Sequence, residues 1–129
     1  MTDFQIAEYC ARLTLEKKAE NVVILDLENK SSVADYYVVV SGTSDRQVMS
    51  IAEHVSETMR ELGLKPISRE GFHDGRWALV DFGSVIVHIF QDFLRDHYNL
   101  ESLWCEAPRI RVRDSVAQQS NYTENSAHF

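Results

Sequence analysis

The chain has 129 residues, enough for one domain with a core of its own. Apolar residues make up 44% of it and charged residues 26%, a globular composition that excludes wholesale disorder. Thirteen Lys and Arg stand against 20 Asp and Glu, for a net charge of −7. That balance weighs against gripping a phosphate backbone, which needs neutralising cations, and favours a basic protein as partner.

The first residues carry no cationic segment followed by an apolar stretch, so no secretory signal is expected. No apolar run approaches the ~20 residues of a membrane span. Cys10 and Cys105 are far apart and form no CxxC, so two reduced thiols and a cytoplasmic protein are expected.

In chain order, residues 3–19 place Ile6, Ala7, Cys10, Ala11 and Leu13 at helical spacing, with Thr2 or Asp3 able to cap the start. The period then changes to two strand-like runs, VVILDL (22–27) and YYVVVS (36–41). A second helix follows, opening on the S-x-x-Q capping box of Ser44 and Gln47. Val48, Ile51, Ala52, Val55, Met59 and Leu62 give it one apolar face, and Gly63 and Pro66 stop it. Next come a short strand at 67–70, a glycine-bearing turn, and the strands RWALVDF (76–82) and VIVHIF (85–90). Gly83-Ser84 between them has the length and chemistry of a primed hairpin turn, which places Leu79 opposite His88 and Trp77 opposite Phe90. Residues 91–104 read as a short helix with an aromatic exit.

The order is therefore α-β-β-α-β-β-β-α: an α/β (α+β) domain over 1–107 with a mixed five-stranded sheet covered by helices. From Pro108 to residue 129 the chain is polar, with Arg109, Arg111 and Arg113 against Asp114 and Glu124, and is expected to be a disordered tail. Its single surplus positive charge leaves −8 on the residues before it.

SGTSDR (41–46) at a strand-to-helix turn could cradle a phosphate, but no GxxxxGK[ST] or GxGxxG accompanies it and Ser44 already serves as a cap. Glu70, Asp74 and Asp81 form no D-x-D pair for magnesium, which argues against nucleotidyl transfer. The histidines make no HExxH and the cysteines no zinc spacing, so neither metal nor cofactor is expected. His88, mid-strand among apolar residues, has Asp81 as its diagonal neighbour. The pair reads either as an oriented base or, more plainly, as a histidine satisfied by a carboxylate. Trp77, Leu79, Ile86 and Phe90 share that face, and Tyr98, Leu100, Leu103 and Trp104 follow in the exit. With a charged rim of Arg69, Arg76, Arg95, Glu101 and Glu106, this is either core or a protein-binding hot spot.

Several long blocks resemble the ribosomal silencing factor family, RsfS or Iojap: Asp35-Tyr36-Tyr37, VVVSGTSDRQVMSIAEHV (38–55), GLKPISREG (63–71), GRWALVDFGSVIVHIF (75–90) and RDHYNLESLWCEA (95–107). Glu106 stands where the family usually has Asp, Ser84 replaces a common Asp in the hairpin turn, and the tail after Arg109 lies outside the resemblance. The resemblance implies a nucleotidyltransferase-like fold without catalytic acids, and a translational repressor rather than an enzyme. The implied partner is the large ribosomal subunit, bound through ribosomal protein L-fourteen so that joining with the small subunit is blocked. A homodimer is implied for the free protein, with no primary nucleic-acid contact. Carried onto this sequence, the expected partner-binding residues are Arg69, Trp77, Asp81, His88, Arg95, Tyr98, Leu100, Leu103 and Trp104, with Gly71 structural. A nucleotide-binding or nucleotidyl-transferring enzyme using the SGTS turn is the alternative, and a large-subunit assembly factor a third reading.

Overall fold

The computed structural model describes residues 1–71, 74–98 (side chains to 95) and 107–112. Helix α1 (Asp3–Glu16) starts on a full capping box: Thr2 Oγ1 accepts from Gln5 N at 3.1 Å, and Gln5 Oε1 accepts from Thr2 N at 2.8 Å. It ends three residues before the expected limit. Lys18 takes a left-handed conformation (φ 64°), with Lys18 N bonded to Leu15 O and Ala19 N to Thr14 O. This is a Schellman cap built on lysine, so the glycine that normally announces one is missing from the sequence.

Strand β1 (Glu20–Asp26) pairs antiparallel with β2 (Tyr36–Gly42), with an irregular register between Glu20 and Val23 where Asn21 has φ 52°. Helix α2 (Asp45–Glu61) follows. Ser44 Oγ accepts from Gln47 N at 3.1 Å, but the Gln47 side chain does not complete the box at Ser44. Its Oε1 instead accepts from Thr43 N, and its Nε2 donates to Lys17 O and Lys18 O. Gln47 thereby stitches the start of α2 to the end of α1. Gly63, at φ 89°, closes α2 with Gly63 N on Arg60 O and Leu64 N on Met59 O, the stop expected from sequence.

Strands β3 (Ser68–Glu70), β4 (Trp77–Asp81) and β5 (Val85–Gln91) come next, then the short helix α3 (Asp92–Tyr98). The sheet is mixed, in the order β3-β4-β5-β2-β1-β6, with β2 and β5 parallel at its centre. Among the described residues it has six strands, not five. Arg109–Val112, read from sequence as the beginning of a polar tail, forms β6 and pairs antiparallel with β1. Alternation explains the difference: Ile110 and Val112 turn to the apolar layer beneath α1 and α2, and Arg109 and Arg111 take the other face. Residues 113–129 lie outside the described residues, as does the expected disorder there.

Two layers of side chains result. Under α1 and α2, Ile24, Val38, Val40, Val87 and Ile89 meet Cys10, Ile51, Val55 and Met59, all fully buried. Burial pushes the Cys10 thiol up to about 12, so it behaves as a small apolar residue. On the opposite face Val23, Leu25, Leu27, Tyr37, Val39, Ile86 and Phe90 form a second cluster, with Leu79 and Leu94 packed against it.

Candidate protein-docking site

The β4–β5 hairpin has the expected register, with Leu79 opposite His88 and Trp77 opposite Phe90. Gly83 alone of the two turn residues has a positive φ, 95°, the pattern of a type II′ turn. Alternation along these strands sends Trp77, Leu79, Asp81, Ile86, His88 and Phe90 to the second face, away from α1 and α2. Parallel pairing then sets β2 alongside, so that Tyr37 sits beside Ile86 and next to His88.

The aromatic groups form a continuous series. Trp77 stacks on Phe90 with ring centroids 4.7 Å apart and planes at 27°. His88 lies 5.9 Å from Trp77 and 4.4 Å from Tyr37. Phe90 is fully buried, and Trp77 retains 36% of its surface in solvent. Trp77 is thus an aromatic ring supported on one side by Phe90 and still partly exposed to solvent, a form that interface anchors take.

His88 does not pair with Asp81. Trp77 takes the opposite diagonal, and its indole Nε1 donates to His88 Nδ1 at 3.2 Å. A large side chain can span the diagonal of an antiparallel pair; the short Asp81 turns back and accepts from Gly83 N at 2.7 Å. Because indole Nε1 can only donate, His88 Nδ1 is the acceptor and the proton of the neutral ring sits on Nε2. Nε2 is buried and has no hydrogen-bond partner among the described residues. Burial pushes the His88 pKa down to about 4, so the ring is neutral at physiological pH. This does not make an oriented general base, which needs a carboxylate behind the ring.

Acidic groups gather where the hairpin turns. Ser84 Oγ donates to Asp3 Oδ1 at 2.8 Å, Asp35 N donates to Ser84 O, and Asp81 is held by Gly83. Desolvation, followed by the neighbouring Asp3, Glu28 and Asp26, raises the Asp35 pKa. Burial, helped by Asp81, raises that of Tyr37. Tyr36 donates its hydroxyl to Glu28 Oε1 at 2.9 Å, and burial with these same carboxylates holds it well above the usual phenol range.

The other expected residues are not all brought here. Arg69 lies opposite Val80, hence on the α2 side of the sheet, where Nη1 donates to Ser56 Oγ at 3.3 Å. Arg95 is buried, and its Nη1 donates to Asn21 O and to Ser41 Oγ at 2.9 Å, tying α3 to the irregular start of β1 and the end of β2. It ties these elements together from within the fold. The Tyr98 side chain and Leu100, Leu103 and Trp104 lie outside the described residues, with the rim acids Glu101 and Glu106. Tyr37 was missed by sequence reasoning because its place depends on a parallel pairing between distant strands, which leaves no local signal. Gly71 is structural as expected: at φ 78°, a Cβ there would lie 1.9 Å from Trp77 O.

The SGTSDR turn is closed to an anion by its own neighbours. Ser44 Oγ, Asp45 Oδ1 and Gln47 Oε1 accept from the amides of Gln47, Arg46 and Thr43. Gly75 packs so tightly that a Cβ on it would lie 2.5 Å from Asp45 Cβ. Gly75 therefore packs directly against the first residue of α2.

The family model described as "Ribosomal silencing factor during starvation" matches residues 2–128. The chain belongs to the ribosomal silencing factor family. The match continues through the segment that the sequence blocks alone left outside it. A ribosomal silencing factor from Bacillus subtilis is 42% identical over 108 residues, covering 84% of this chain and 92% of the relative. A crystal structure of a Chromobacterium violaceum protein superposes with a TM-score of 0.79 at 32% identity, covering 81% of this chain and 87% of that one. A mouse protein named for mitochondrial assembly of the ribosomal large subunit is 27% identical over 95 residues, covering 71% of this chain and 42% of the mouse protein. The mixed α+β fold is thus the fold of this family.

Proposed function

We propose that the protein is a cytoplasmic translational repressor that docks on the large ribosomal subunit through ribosomal protein L-fourteen and sterically prevents joining with the small subunit. The observation that carries this reading is Trp77, an exposed indole stacked on Phe90 and bonded to His88, on a sheet face whose hairpin turn, at the far end of β4, gathers Asp3, Asp35 and Asp81. An aromatic anchor on a face that ends in acidic groups complements a basic protein surface, and the net charge of −7 steers in the same direction. Family membership supplies the ribosome as the address. On this reading the protein is not an enzyme, and it exists as a homodimer when free.

The test is sedimentation of purified ribosomal subunits with and without the protein. Saturating protein is expected to travel with the large subunit and to deplete the joined particle; an undiminished joined peak rejects the proposal. Trp77→Ala, at a hot-spot position, is expected to weaken large-subunit binding about 30-fold.

The name of the mouse relative favours a second reading, a factor for large-subunit assembly acting through the same surface. Deleting the gene separates the two: accumulated precursor particles favour assembly, and excess joined ribosomes under starvation favour repression. The nucleotide reading is weakened, since the Thr43, Arg46 and Gln47 amides at this helix start already donate to side chains of the same segment. Calorimetry with a nucleoside triphosphate and magnesium is expected to give no heat at millimolar ligand.

A further inference from the structure

Stability alone gives a poor account of His88. The ring is 4% exposed, and it buries an Nε2–H that finds no acceptor among the described residues. An unsatisfied buried donor is costly, and an apolar ring such as phenylalanine would bring none. The surroundings are themselves aromatic, with Tyr37 tilted at 4.4 Å and Phe90 nearly parallel at 6.1 Å. What phenylalanine lacks is the acceptor at Nδ1, and that acceptor receives the indole proton of Trp77.

We infer that His88 is a positioning residue for docking: its Nδ1 fixes the orientation of the half-exposed Trp77 ring before the partner arrives, with the ring proton held on Nε2. The inference rests on the docking role assigned to Trp77 above. Among the described residues, Phe90 and His88 act on the indole in different ways. Phe90 supports its face and so sets the plane, but a stacked ring can still slide or turn within that plane. The hydrogen bond from Nε1 removes that freedom. A platform ordered in advance loses less rotamer freedom on binding, which raises affinity without adding any contact to the partner.

The experiment compares the full chain with His88→Phe and His88→Asn, whose amide oxygen can stand where Nδ1 stood. In free wild-type protein, long-range proton–nitrogen spectra are expected to show a bare Nδ1 and a protonated Nε2. The Trp77 indole N–H, assigned by its loss in Trp77→Phe, should exchange slowly with solvent. His88→Phe should fold with an unchanged or higher Tm, speed that exchange, and weaken binding to purified large subunits about 3- to 10-fold, the cost of ordering one large side chain. His88→Asn should recover slow exchange and most of the binding even where its smaller side chain lowers Tm.

A proton on Nδ1 in the wild type overturns the inference, and so does His88→Phe binding as tightly as wild type with a freely exchanging indole. Failure of wild-type protein to bind the large subunit rejects the docking role of Trp77 and the inference with it. The spectra of the free protein show separately whether the Trp77–His88 bond exists.

Discussion

The two faces of the sheet are built to different rules. Under α1 and α2, residues such as Ile24, Val38, Val87 and Ile89 are fully buried, and the polar side chains among them find partners inside the protein. Thr14 donates to Ala11 O, and Ser56 accepts from Arg69. The opposite face carries an aromatic series, a buried histidine with one idle donor, and a tryptophan left half in water. One face is packed for stability. The other tolerates an unsatisfied group and an exposed ring, which is where a protein that needs only to fold would have improved itself.

Truncations of fully buried residues on each face test this contrast with the largest effects. Ile89→Ala on the helical face should cost about 2–5 kcal/mol in urea denaturation, and Phe90→Ala on the other face about 3–5 kcal/mol. The two should part in function. Folded Ile89→Ala should bind large subunits as wild type does, and folded Phe90→Ala should bind more weakly because Trp77 loses its support. Equal binding by both would dissolve the distinction between the faces.

The next effect is set by pH. An unfolded His88 takes up a proton near pH 6.5, and the buried ring only near pH 4. Between those values the unfolded state binds more protons, so stability falls as pH falls, by roughly 3 kcal/mol in all. Among the described residues, Asp81 and Tyr37 are titratable neighbours on that face, and neither bonds His88 Nε2. Denaturation series between pH 7 and pH 4 should therefore show a slope that His88→Phe removes. A slope that survives the substitution places the acid sensitivity elsewhere.

Local signals in the sequence predicted local structure well. The two-residue Gly83-Ser84 turn carried the whole β4–β5 register, because a hairpin of that length admits little else. Gly63 marked the end of α2 for the same kind of reason. What escaped was non-local or silent. The parallel pairing of β2 with β5, which brings Tyr37 to His88, joins strands far apart in the chain. Four residues of β6 are too few for their alternation to outweigh two arginines. At the site, sequence placed Trp77, Asp81 and His88 on one face but gave the histidine the wrong diagonal partner. Strand spacing allows both diagonals, and only side-chain reach decides between them. Arg69 and Arg95 were read as a charged rim and again from the resemblance, and packing sends one to the opposite face and the other inward.

Lys18 offers the smallest effect and the sharpest control. It closes α1 in a left-handed conformation that costs an L-residue roughly 1–2 kcal/mol. Glycine removes that strain but loosens the unfolded chain, by about 0.4–1 kcal/mol, so Lys18→Gly should gain about 0.5 kcal/mol. That corresponds to a Tm rise of roughly 2 °C for a domain of this size. The Schellman bonds from Lys18 N and Ala19 N use backbone alone, and Gln47 reaches a carbonyl, so nothing in the cap needs the lysine side chain. Lys18→Gly and His88→Phe would then both hold or raise stability, the first at the end of a helix and the second beneath Trp77. Only the second should weaken binding to the large subunit. If the gain at Lys18 weakened binding equally, rigidity of the whole domain would matter more than the orientation of one indole, and the division between a packing face and a docking face would fail.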